Sequence, residues 1–68
     1  MNGAAKYSEG QLVVAVRGPG SAMEAERRNI GKVGEVMRVA FFKGCTKPYY
    51  EIQFRSGLDS VDESCLMV

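Results

Sequence analysis

Cys45 and Cys65 are the only thiols in the chain, and no histidine accompanies them. A cysteine nucleophile needs a base, and a structural zinc ion needs four nitrogen or sulfur ligands. Neither can be assembled within one chain here. The same absence removes histidine acid–base catalysis and serine–histidine chemistry. Cys45 stands in Lys43-Gly44-Cys45-Thr46-Lys47. Flanking positive charge lowers a thiol pKa and favours the thiolate, so a reactive cysteine is one reading. An ordinary loop cysteine beside solvated lysines is the plainer one. Cys65, between Ser64 and Leu66, is expected to help close the core as a small apolar residue. Gly18-Pro19-Gly20 lacks the Lys-Ser/Thr ending of a phosphate loop and reads as a turn. No nucleophile–base pair, metal site or cofactor cradle emerges, so no enzymatic activity and no cofactor are expected.

The remaining chemistry is recognition. Lys32, Arg38, Lys43, Lys47 and Arg55 put five positive charges into the segment 32–55, against Glu35 and Glu51. The last thirteen residues carry Asp59, Asp62 and Glu63 and no cation. The chain is therefore polarised, although nine Lys/Arg against eight Asp/Glu leave a net charge of only +1. That balance argues against a protein whose main task is coating nucleic acid. A basic patch with Tyr49 and Phe42 as stacking groups would suit an acidic protein or a nucleic-acid backbone. Solvated faces and cross-strand pairs are the plain alternative. One ring of the adjacent Phe41 and Phe42 must point outward in a strand, either to anchor a partner or to cap the end of the fold.

These groups need a scaffold, and the chain is short. Sixty-eight residues, 46% hydrophobic and 25% charged, make one small folded domain. Residues 1–8 read as a flexible N-terminal segment and 9–68 as the domain. Met1 to Lys6 lack the apolar core of a signal peptide, and no run approaches the roughly 18 apolar residues of a membrane span. Reduced thiols in the cytoplasm and no membrane association are expected.

Gln11 to Arg17 is rich in β-branched residues and stops at Gly18-Pro19-Gly20, as a strand would. Ser21 with Glu24 three residues on resembles a capping box, but the stretch to Arg28 is only two turns long. It reads as a long loop carrying a helical turn. Gly31 to Phe42 forms the next strand. Tyr49 to Arg55 alternates, with Tyr50, Ile52 and Phe54 on one face. Ser56-Gly57 turns the chain into Leu58 to Val61. Asp62-Glu63-Ser64 reads as a helical turn, and Cys65 to Val68 as a closing strand.

Five short strands would leave two open edges in a flat sheet, and curling into a small barrel relieves that hazard. A bulge at Gly34-Glu35 would turn both Val33 and Val36 inward. Val39 is then expected opposite Ile52 and Met37 opposite Phe54, which leaves Arg38 and Gln53 outside. The expected core is Val14, Val16, Val33, Val36, Val39, Ile52, Phe54, Val61 and Leu66.

The order of these pieces resembles the SH3-like barrels. The matching features are the strand after Glu9-Gly10, the long first loop and Ile30-Gly31-Lys32-Val33-Gly34-Glu35-Val36. Pro48-Tyr49-Tyr50-x-Ile52-x-Phe54 and the closing Val61-x-Glu63-x-x-Leu66 complete the pattern. The layout is similar to that of photosystem I subunit IV, the ferredoxin–thioredoxin reductase variable chain, the nitrile hydratase β-subunit domain and type II dihydrofolate reductase. Photosystem subunit IV implies docking, and the variable chain a structural subunit. Type II dihydrofolate reductase places Val-Gln-Ile-Tyr on the fourth strand. Leu58-Asp59-Ser60-Val61 stands there instead, with no Gln or Tyr to bind a pterin and with Asp59 facing an anionic cofactor. That reductase activity is not expected.

The resulting expectation is an all-β, five-stranded SH3-like barrel that works by binding another protein or a second copy of itself. Met23, Arg27 and Arg28 of the first loop, Phe42, Lys43 and Lys47 of the loop 42–48, and Tyr49 would form one contact surface. A nucleic-acid-binding barrel using Arg38, Lys43, Lys47 and Arg55 is an alternative. So is a subunit of an oligomeric enzyme whose site forms between chains.

Overall fold

The computed structural model describes residues 5–18, 23–41, 43 and 48–68. Five antiparallel strands form one curled half-barrel sheet. They are β1 (Leu12–Ala15), β2 (Val33–Phe41), β3 (Pro48–Phe54), β4 (Gly57–Asp62) and β5 (Leu66–Met67). The order across the sheet is β4-β3-β2-β1-β5, so the last strand crosses over to pair with the first. Two 3₁₀ turns complete the fold: Arg27–Asn29 in the first loop and Glu63–Cys65 before β5. The helical turn expected after Ser21 thus sits at Arg27–Asn29; Ser21 itself lies outside the described residues. The turn expected at Asp62 to Ser64 is present, and the Asp62 carboxylate caps it by accepting from the Ser64 N–H.

The β2–β3 register departs from expectation. Val36 faces Ile52 and Val39 faces Tyr50, and the extra residue lies between Val36 and Arg38, at Met37. Gly34 serves a different purpose from the expected bulge. A Cβ there would collide with Ile52 Cγ2 and come within 2.9 Å of Phe54 Cδ1. The glycine makes room for these two side chains, and Val13 pairs with it from β1. Without a bulge at Gly34, ordinary alternation turns Val33 outward, where it is 57% exposed, not buried as expected. Arg38 and Gln53 are outside, as expected.

The phase of β1 is also the reverse of the expected one. Val13 and Ala15 are buried, whereas Val14 and Val16 are only half-buried. Leu12 to Val16 are all apolar, so their alternation carries no phase. The pairing of Val13 with Gly34 sets it instead. Val36, Ile52, Phe54, Val61 and Leu66 are buried as expected, and Val39 packs against them part-buried. Tyr7, Ala25, Tyr50 and Cys65 complete the core with Val13 and Ala15.

Two polar networks tie the loops to the sheet. At one end the Tyr50 hydroxyl donates to Glu63 Oε2 at 2.6 Å and accepts from the backbone N–H groups of Lys6 (3.0 Å) and Tyr7 (3.2 Å). The Tyr7 ring meets Tyr50 edge-on at 5.4 Å, and its own hydroxyl donates to the Leu66 carbonyl. The second network centres on Asn29, which is 2% exposed. Asn29 donates to Asp59 Oδ2 and accepts from the Ser56 hydroxyl. The Glu26 N–H also donates to Asp59, and the Asp62 N–H donates to the Met23 carbonyl. The segment 23–29 is thereby laid along β4, which covers an edge that would otherwise be open.

Candidate functional site

Asn29 and the β3–β4 hairpin bring three cations to one place. Phe54 pairs with Gly57 across the turn Arg55-Ser56, and Gly57 takes φ 132°, a conformation that suits glycine. The Ser56 hydroxyl bonds to Asn29 and so clamps this turn against the first loop. Where the two meet, a cleft of about 350 Å³ is lined by Arg28, Asn29, Lys32, Val33, Phe54, Arg55 and Ser56. Among the described residues no carboxylate lines it. Glu26 lies near and is held by Arg28 at 3.1 Å. Asp59 is held by Asn29 and the Glu26 N–H. The lining therefore carries a surplus of positive charge.

A second surface lies on the convex side of the sheet. Paired residues in a sheet share a face, so the register places Met67, Val14 and Val33 side by side across β5, β1 and β2. Leu12, two residues from Val14, shares that face, as alternation requires. Leu12 is 62% exposed and Met67 51%. Glu35 stands opposite Leu12 and next to Gln53 on β3. Val33 belongs to both surfaces, because it ends the apolar row and lines the cleft.

The residues singled out from sequence are scattered over these features. Arg28 and Arg55 meet at the cleft with Lys32. Arg27 is exposed at the start of its 3₁₀ turn, and Met23 is half-buried beside Asp62. Arg38 lies on the convex face and pairs with Glu51 at 3.0 Å. Tyr49 is half-buried on β3, between Ala40 and Asp62. Lys43 is exposed. Phe42, Cys45 and Lys47 lie outside the described residues. Sequence reading missed Leu12, Val14, Val33 and Met67 as a surface. The signal for them was the phase of β1, which the uniform run from Leu12 to Val16 conceals.

Cys65 is a buried thiol in the core, and no cluster of three metal-ligating side chains occurs among the described residues. Burial, then donation to Glu63, pushes the Tyr50 phenol from 10.0 up to about 12. That change favours the neutral hydroxyl and fits a structural role. No helix is long and apolar enough to cross a membrane. No protein-family model, curated protein or solved structure matches the chain, and the resemblance to small barrels rests on the half-barrel sheet alone.

Proposed function

We propose that this SH3-like half-barrel is a non-enzymatic binding module that engages another polypeptide through its convex face. The observation that carries the reading is the row Met67–Val14–Val33 with Leu12 beside it. Leu12, Val33 and Met67 are large apolar side chains left open to solvent on adjacent strands, with the half-buried Val14 between them. Exposed apolar side chains are common singly, but a contiguous group with a polar rim marks an interaction surface. Arg38, Glu51 and Gln53 supply such a rim on the neighbouring strands. The strands hold the row rigid, so little side-chain order has to be gained on binding.

The test is site-directed photo-crosslinking from position 12 in cells that express the protein. A discrete adduct is expected, with its polypeptide identified by mass spectrometry, and Val33→Ser with Met67→Ser should abolish it. Adducts that arise only from positions outside the row, such as Glu24 or Ser64, would overturn the assignment of the face.

A further inference from the structure

The apolar row does not end in neutral surface; it runs through Val33 into the cleft rimmed by Arg28, Lys32 and Arg55. We propose that this cleft receives the carboxylates of an acidic partner polypeptide whose apolar side chains lie along Val33, Val14 and Met67. The inference rests on the convex-face reading above and adds the chemistry and polarity of the partner.

Charge complementarity carries it. Three cations line one concave site; Lys32 and Arg55 form no ion pair among the described residues, and Arg28 is shared with Glu26. Glu26 is taken up by Arg28, and Asp59 by Asn29 and the Glu26 N–H. Arg28 uses Nε and Nη2 on Glu26, which leaves Nη1 for a ligand. The far end of the face has the opposite sign, because Glu35 stands opposite Leu12. A partner is therefore oriented, with its carboxylates over the cleft and its apolar side chains along the row. A second copy of this chain fits less well. Its clustered acids are held in place by internal hydrogen bonds rather than free to reach into a cleft: Asp59 as above, Asp62 by Ser64, and Glu63 by the Tyr50 hydroxyl and the Lys6 N–H. A nucleic acid fits less well too. Among the described residues the one aromatic ring lining the cleft, Phe54, is buried and offers no face for a base to stack on.

Binding of fluorescein-labelled decapeptides, followed by anisotropy, tests the proposal. One peptide alternates Glu with Val, one Gln with Val and one Lys with Val; an oligothymidylate of ten nucleotides is the fourth probe. The Glu peptide should bind about tenfold tighter than the Gln peptide, as three exposed charge contacts allow, and the advantage should shrink with added salt. Arg28→Gln with Lys32→Gln and Arg55→Gln should remove that advantage and leave the Gln peptide's affinity unchanged. Equal affinity for the Glu and Gln peptides, or tighter binding of the oligonucleotide, overturns the acidic partner while the convex-face reading stands. Val33→Ser with Met67→Ser should weaken both the Glu and the Gln peptide. If it changes neither, the convex-face reading falls and the proposal falls with it. Circular dichroism confirms that each variant is folded.

Discussion

Tyr50→Phe removes one oxygen from the centre of the network that joins the N-terminal segment, β3 and the second 3₁₀ turn. The ring keeps its place and its edge-on contact with Tyr7. Three hydrogen bonds disappear: the donation to Glu63 and the acceptances from Lys6 and Tyr7. Lys6 N–H keeps Glu63 Oε2 at 3.0 Å, but the buried Tyr7 N–H loses the hydroxyl. An orphaned buried donor costs about 1–3 kcal/mol, a large share of the roughly 5 kcal/mol available to a small domain. The variant carries a second signature at high pH. The phenol is pushed from 10.0 up to about 12 in the folded protein, first by burial and then by its bond to Glu63. The folded state therefore holds its proton after the unfolded chain has released it. That contribution is fully present below pH 10 and is lost as pH rises toward 12, about 3 kcal/mol over the interval. Urea titrations followed by circular dichroism at pH 7, 9, 10.5 and 11.5 read both effects. The wild type should fall more steeply than the variant above pH 10, by about 1.4 kcal/mol per pH unit. Equal stability at pH 7 together with parallel alkaline limbs would refute the role given to this hydroxyl.

Two further perturbations probe the scaffold. Gly34→Ala drives a methyl group into Ile52 and Phe54 and should cost about 1–3 kcal/mol in a urea titration; a neutral result would mean that the packing of Ile52 and Phe54 on β2 does not require a glycine. Asn29→Ala removes one of the two hydrogen bonds to the Asp59 carboxylate and the bond to the Ser56 hydroxyl, and should cost about 1–3 kcal/mol for the two together. It should also raise amide exchange selectively across residues 23–30, because Asn29 ties that segment to β4 and the hairpin turn. Uniform exchange throughout the chain would show that Asn29 is not a local anchor.

The sequence alone determined the class of this protein and the place of each of its five strands to within two residues at either end. Tyr49 to Arg55 alternates so regularly that the burial of Tyr50, Ile52 and Phe54 follows from it; a hairpin turn after it was legible too, although it falls at Arg55-Ser56, one residue earlier than the expected Ser56-Gly57, because Gly57 already pairs with Phe54. The missing histidines removed whole classes of catalysis without any structure. Arg38 and Gln53 had to face water, since burying a charge or an unpaired amide is costly. Tertiary structure decided what these local rules leave degenerate. Leu12 to Val16 is apolar at every position, so either face could be buried; pairing with Gly34 chose Val13 and Ala15 and left Leu12 and Val14 on the convex side. The bulge went to Met37, because Gly34 was needed for the volume of Ile52 and Phe54. The cleft joins Arg28 to Arg55 through an asparagine and a serine that no local pattern links. Alternation is a property of one strand, whereas phase and convergence are properties of strand pairs. Only the closed packing of neighbouring strands could fix them.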